Sequence, residues 1–376
     1  MNYLIAVSFV SLFILGFCDN LRGPLFPEII KYFSVSDTLG AAYFAVTSFV
    51  AFFASYFIRK EKNTYKLLHI LNSGVLCLGI SFAIQSFSQN YLVLMTGVFF
   101  FGISFGFLGV SQNNLVVQGS TDINRSKMLS GLHSMYGISS LLSPLYVAGY
   151  SNWGWQKILS VTAIFPFIFF VIILIQLIKN RKYWLELHQK TVTEIHPKVT
   201  WREKRICLVI SFYVIAEIML GSRLALYMRR YFDFSLQESS FYVTLLFVFM
   251  LIGRVVVSFY PPRIPLKTQL VFSLVGSLFC FLIGMYYHPA VLILCGLTMA
   301  PFYPLAISYI SEINQKKAPE IVSNTVAIQA LFVVAMHLLV GNIADLTNLK
   351  TAFLIGPVCM ATALFLLLSI KKEKYV

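Results

Sequence analysis

Long apolar stretches alternate with short polar ones along the entire chain. Twelve are marked near 3–21, 37–58, 67–87, 91–118, 129–149, 158–178, 206–228, 239–258, 268–287, 289–311, 322–344 and 351–370. A helix needs roughly 20 apolar residues to cross a bilayer. The pattern therefore predicts an all-α membrane protein with twelve transmembrane helices. The one long polar stretch, Lys179 to Arg205, lies between the sixth and seventh spans and contains Pro197. It divides the chain into an N-terminal six-helix bundle over 1–178, a basic cytoplasmic linker over 179–205 and a C-terminal six-helix bundle over 206–376. The linker's Lys and Arg are expected along the membrane surface, against anionic lipid headgroups.

The two halves share a register. Tyr32-Phe33-Ser34-Val35-Ser36, followed by Tyr43, matches Tyr231-Phe232-Asp233-Phe234-Ser235, followed by Tyr242, at one ungapped offset of 199. The same offset sets Glu217 opposite Cys18, next to Asp19, and brings Arg223 within two residues of the position matching Arg22. Paired, pseudo-symmetric bundles are how secondary transporters are built, with their binding site near the bilayer midplane.

Composition agrees with a lipid solvent. The 376 residues are 58% hydrophobic and 12% charged, against about 25% charged in soluble domains. In water such a chain would expose apolar patches large enough to aggregate. The net charge of +14 reflects topology and excludes a nucleic-acid groove. With a cytoplasmic N-terminus, the inside connections hold 21 Lys and Arg, and the outside ones five: Lys31, Lys157, Arg229, Arg230 and Lys350. That excess obeys the positive-inside rule and places both termini in the cytoplasm. The six cysteines lie in or beside spans without CxxC spacing, so neither a disulfide framework nor a zinc site is expected. The first stretch lacks the basic start and small-residue cleavage site of a signal peptide and reads as a helix. The sequon Asn124-Arg125-Ser126 falls on the cytoplasmic side, and the bacterial inner membrane is the expected location.

Ionisable groups inside spans carry the functional information, because each costs about 2.5–3.5 kcal/mol at a helix centre. In the first span, Asp19 and Arg22 are three apart, share a face and precede Gly23-Pro24, which is expected to bend the helix. Either the pair is static packing, or Asp19 exchanges a proton and Arg22 binds an anionic group. Glu217 and Arg223 in the seventh span are six apart, roughly 240° around a helix, so one of them faces the cavity. Arg223 either does so or snorkels outward. The run Ser111-Gln112-Asn113-Asn114, together with Asn20, Gln329, His133 and His337, supplies neutral or relay groups; each has an equally plain reading as a bond between helices. Gly102 and Gly106 read as close-packing positions. Phosphate loops, HExxH, GxSxG and metal-ligand clusters are absent from the sequence, so neither an enzyme nor a cofactor or metal is expected.

Twelve spans, a central basic loop and a repeat resemble the major facilitator superfamily over the whole chain. Within it, Gly16-Phe17-Cys18-Asp19-Asn20-Leu21 is similar to the first helix of the fucose permease type of sugar/proton symporters. Asn114 through Arg125, Leu132-His133, Gly137 and Pro144 look like that type's fourth-to-fifth-helix signature. Tyr213-Val214 with Ala216-Glu217, Gly253-Arg254 and Ala300-Pro301-Phe302 with Pro304 resemble its seventh, eighth and tenth helices. Val110 stands where that type carries an acidic residue, and Ile58 stands before Arg59-Lys60 where the superfamily expects aspartate. The resemblance implies a proton role for Asp19.

The expectation is a monomeric secondary transporter moving a small polar or anionic solute by alternating access, coupled to protons. Asp19, Glu217 and His133 are the candidate proton groups. Asn20, Arg22, Asn113, Asn114, Arg223, Gln329 and His337 are the candidate solute contacts, in a cavity formed by the first, fourth, fifth, seventh, tenth and eleventh helices. A neutral sugar/proton symporter is the alternative within the class. A non-transporting membrane sensor or scaffold is the alternative outside it; the longest connection, 27 residues, offers such a protein no signalling domain.

Overall fold

A computed structural model describes residues 2–121, 123–186, 200–260, 262–314 and 317–370. Residues 187–199, the middle of the expected linker including Pro197, lie outside the described residues, as does the tail 371–376. The described residues form helices and no strand. They group into two compact units, Met1–Val35 with Ala42–Thr193, and Ser36–Ala41 with Glu194–Val376.

The first unit contains α1 (Asn2–Phe33), α2 (Asp37–Ile58, its first turn grouped with the second unit), α3 (Thr64–Ser86), α4 (Tyr91–Gly119) and α5 (Arg125–Gly149). A 3₁₀ turn, Ser151–Trp153, leads into α6 (Trp155–Lys179) and the short α7 (Arg181–Glu186). The second unit contains α8 (Trp201–Phe232), α9 (Leu236–Phe259), α10 (Leu266–Tyr286), α11 (Val291–Met299) and α12 (Phe302–Ile313). It ends in α13 (Ala318–Leu346), α14 (Leu349–Phe353) and α15 (Ile355–Ser369).

Eleven of the described segments are long and apolar enough to cross a membrane, with α11 and α12 counted as Val291–Ile313 and α14 and α15 as Leu349–Ser369. The break in the former falls at Ala300-Pro301, where proline cannot donate into the helical ladder. The twelfth spanning helix is α5, which carries Ser130, Ser134, Ser139, Ser140 and Ser143 besides His133 and so falls below the others in apolarity. Its serines are used in packing: Ser143 Oγ donates to the Phe17 carbonyl at 2.8 Å, and Ser139 with Tyr136 closes over Gly16 of α1.

In the first unit α1 packs against α4, α5 and α6, and α3 against α4 and α6. The glycines of α4 allow α2 to approach closely: a Cβ on Gly106 would stand 2.6 Å from the Ala51 carbonyl oxygen, and one on Gly102 2.6 Å from Val50 Cβ. Small residues at such contacts are how membrane helices gain packing when lipid is as apolar as their neighbours. In the second unit α8 is the central helix, packed on α9, α13 and α15, while α10 packs on α11, α12 and α15. The start of α8 is fixed by a capping box, Thr200 with Glu203. Glu203 Oε1 also accepts from Asn314 Nδ2 at 3.1 Å and lies 3.7 Å from Lys317 Nζ.

The sequence repeat is repeated in the backbone. α1 and α8 both run for 32 residues, and their ends coincide at the offset of 199. Among the described residues the non-glycine positions with positive φ are Ser34 (50°) and Asp233 (52°), which match at that offset and stop the two helices. A left-handed residue just beyond the last turn ends a helix, and aspartate tolerates that conformation better than serine. Two residues on, Ser36 and Ser235 match again: each hydroxyl accepts from the amide three residues later, Leu39 at 3.3 Å and Glu238 at 3.2 Å.

Candidate functional site

α1 continues unbroken through Asp19-Asn20-Leu21-Arg22-Gly23 despite Pro24 and Pro27. Each proline lacks the amide that would bond four residues back, so the Asn20 and Gly23 carbonyls are deprived of their helical donors. This is the weakened stretch of the helix, and it carries the ionisable pair.

Asp19 is 24% exposed and Arg22 only 2%. Arg22 Nη1 lies 3.4 Å from Asp19 Oδ1, and the Tyr136 hydroxyl of α5 donates to Asp19 Oδ2 at 2.6 Å. The far side of the guanidinium belongs to α2: Nη2 donates to the Tyr43 carbonyl at 2.6 Å and to Thr47 Oγ1 at 2.7 Å. Three rings enclose it, with Tyr43 and Phe101 at 4.5 Å and Phe44 at 4.9 Å from Cζ to ring centre. Cation–π contacts strengthen when desolvated. The Tyr43 hydroxyl continues inward to Gln85 Oε1 at 2.8 Å, and Gln85 Nε2 to Ser81 Oγ at 2.8 Å. The arginine is thus enclosed among α1, α2 and α4, while its carboxylate partner keeps an open side.

The neutral candidates of this unit stand apart from that network. Asn20 Nδ2 donates to the Gly16 carbonyl at 2.8 Å and Asn113 Nδ2 to the Gly109 carbonyl at 2.7 Å, each four residues back on its own helix. Both are half-buried, as is Asn114, and His133 is exposed on α5. Gln112 is buried and bonded to Ser11 Oγ at 3.0 Å, joining α4 to α1.

The second unit carries a looser counterpart. Glu217 is 23% exposed, and its Oε1 lies 4.0 Å from Nη2 of Arg254 on α9, itself 42% exposed. One turn before Glu217, the Tyr213 hydroxyl donates to the Met299 carbonyl at 2.7 Å, and its ring stacks on Phe302 at 4.0 Å, across the break between α11 and α12. Arg223 is 2% exposed, so its side chain does not reach outward to the surface. On α13, His337 is buried and Gln329 half-buried, with Gln329 Nε2 enclosed and without a hydrogen bond. Among the described residues no group of three His, Cys, Asp or Glu side chains is arranged to hold a metal.

Sequence reasoning missed Tyr136, Tyr43, Thr47 and Phe101, which hold the first pair, and did not single out Arg254 as the partner of Glu217. Arg254 had a signal. Once the Lys and Arg of the connections are set aside, the basic residues left inside spans are Arg22, Arg223 and Arg254, and each needs a counter-charge or polar partner.

Known proteins agree with this architecture. Residues 8–324 match the Major Facilitator Superfamily. The chain is 23% identical over 381 residues to the Protein TsgA homolog of Buchnera aphidicola subsp. Baizongia pistaciae, covering 97% of this chain and 94% of that one. Among solved structures it is similar to a bacterial homolog of the human lysosomal transporter Spinster in an inward-facing, occupied conformation, with a TM-score of 0.73, 12% identity and coverage of 100% and 99%. A D-xylose-proton symporter gives 0.73 at 12% identity, covering 96% of each chain. The peptide transporter POT in complex with sulfate gives 0.72 at 14%, covering 98% and 93%. At these identities the structures speak for the fold alone, and fold does not select a solute. The family match takes in most of both units, and their shared register and span-borne ion pairs are what a membrane carrier needs; the chain belongs to the Major Facilitator Superfamily, as a secondary transporter and not an enzyme.

Proposed function

We propose that this transporter moves a small polar solute by alternating access and couples that movement to protons through Asp19, with Glu217 as the matching group of the second unit. The observation that carries the reading is the asymmetry around Asp19. Its carboxylate is partly open while both of its oxygens are engaged, one by Tyr136 and one by Arg22. A partly open, partnered carboxylate within a span is the arrangement of a proton-exchanging group rather than of inert packing. His133, exposed on the same helix as Tyr136, is the relay candidate. Asn20, Asn113, Asn114, Gln329 and His337 are the neutral solute contacts, and Arg223 is the remaining basic candidate.

A neutral rather than anionic solute is the better-supported form of this reading. Arg22 was the first candidate for an anion, and its guanidinium is enclosed by three rings and bonded to α2. We further propose a monomer of the bacterial inner membrane with both termini cytoplasmic.

The test is thermal unfolding of the purified protein with neutral sugars and small organic anions at two pH values. A ligand that binds the folded state raises apparent stability by mass action. Stabilisation by a sugar that changes between the pH values in the parent and not in Asp19→Asn is expected. Stabilisation by anions alone, lost in Arg22→Gln, would restore the anionic reading. No stabilisation by either class would overturn both forms of the solute reading.

A further inference from the structure

The guanidinium of Arg22 is shared between two helices. Nη1 faces the α1 carboxylate, and Nη2 is bonded to the Tyr43 carbonyl and the Thr47 hydroxyl of α2. At 2% exposure, water is not at hand to replace either set of partners. The Tyr43 carbonyl also accepts from Thr47 Oγ1 at 3.2 Å, so this turn of α2 carries donors beyond its own helical ladder. Side-chain donors entering the ladder are a recognised cause of helix bending.

From this arrangement we infer that Arg22 is a positioning residue that relays the protonation state of Asp19 to α2. The inference rests on Asp19 being the proton carrier. When a proton from water adds to the Asp19 carboxylate, the negative charge disappears and the arginine's positive charge stays. A buried cation that loses its counter-charge is costly unless it finds other partners. The guanidinium must then lean harder on neutral acceptors, and those at hand are the Tyr43 carbonyl and the Thr47 hydroxyl. Its Nε, buried and without a hydrogen bond, is a donor free to enter the new set. The proton is thereby felt in α2, a helix that Asp19 itself does not touch by any hydrogen bond among the described residues.

Among the described residues, few groups face Asp19 or its arginine. On α1 it is Arg22. On α5 it is Tyr136, whose hydroxyl donates to the carboxylate. Around the arginine stand the carbonyl and ring of Tyr43 on α2 and the ring of Phe101 on α4. Of these, Arg22 alone joins the carboxylate to α2 by directed bonds on both sides.

The experiment needs no solute, since the proton is the ligand. Infrared difference titration of the full-length protein in lipid identifies the Asp19 carboxylic acid band by its loss in Asp19→Asn. Hydrogen exchange over residues 43–51 is followed across the same pH range. In the parent, protection of that segment is expected to change about threefold or more as the band titrates, a local opening rather than a global one. Asp19→Asn should lose both signals. Arg22→Gln should keep the band and lose the response of α2. Thr47→Val, a small change that leaves the ion pair intact, should reduce that response and decides the matter if Arg22→Gln does not fold. A merely structural Arg22 would give the opposite: lower protection in Arg22→Gln at every pH, with the pH response retained, and that overturns the relay. A band that titrates in the parent with no change in α2 also overturns it, leaving Asp19 as proton carrier. The absence of any Asp19 band removes the proton reading and the relay together.

Discussion

Asp19 and Glu217 are held by the same means in different measure. Both are about one-quarter exposed and face an arginine. The Asp19 pair closes at 3.4 Å within one helix and is finished by Tyr136, while the Glu217 pair stands at 4.0 Å across two helices with a 42% exposed arginine. The geometry makes Tyr136 an informative side chain, since its hydroxyl donates directly to the carboxylate. Tyr136→Phe keeps the ring over Gly16 and removes one hydrogen bond to a charged group. A bond of that kind contributes roughly 1.5–3 kcal/mol when buried, and Asp19 is only partly so; a loss of about 1 kcal/mol is expected. The midpoint of thermal unfolding in detergent should fall by about 1–2 °C, and an unchanged midpoint would show that water replaces the hydroxyl freely. From the sequence, Asp19 and Arg22 are legible because a charge in an apolar run is conspicuous and an i,i+3 pair shares a face. Tyr136 and Thr47 are not, because a tyrosine or threonine in a span is ordinary until the fold brings it near.

At the scale of elements, the offset of 199 was readable from matched aromatic residues, and it returns as equal lengths of α1 and α8 and matched left-handed stops. The break in the tenth span falls at the Ala300-Pro301 pair that the sequence displays, whereas the polarity of α5 makes sense only once its serines are seen against α1. The repeated helix starts also differ instructively. α9 is capped by its own Glu238. The start of α2 instead borrows a carboxylate from α13: Asp345 accepts from the Asp37 and Thr38 amides, each at 2.8 Å. Arg230 at the end of α8 adds a two-pronged pair to the Asp37 carboxylate, at 2.6 and 2.7 Å. Gly341 permits this approach, since a Cβ there would stand 2.7 Å from the Asp37 carbonyl oxygen. Removing the borrowed cap by Asp345→Ala should cost about 1 kcal/mol or less, because the carboxylate is solvent-exposed. Hydrogen exchange should localise the effect: faster exchange at Asp37 and Thr38, with the start of α9 unaffected. Equal loosening of both helix starts would mean the substitution acts through general destabilisation.

For the whole molecule, the distribution of positive charge makes a claim that packing does not. The orientation proposed here assigns 21 Lys and Arg to the cytoplasmic connections and five to the opposite side. The remaining three, Arg22, Arg223 and Arg254, lie inside spanning helices and carry no vote. The described helices give the parity on which the assignment rests, and α5 is the decisive member. Without it the spans would number eleven, and every connection after Gly149 would change sides. The connection between α5 and α6 and the one following α6 should therefore lie on opposite faces of the membrane, the former outside. Alkaline phosphatase fused after Gly154 is expected to be active and a fluorescent protein there dark. Fused after Asn180, with its basic neighbours Lys179, Arg181 and Lys182, the two reporters should exchange behaviour. If the fusion after Gly154 fluoresces and the one after Asn180 is active as a phosphatase, the polar α5 does not cross the bilayer and the orientation of the second unit is reversed.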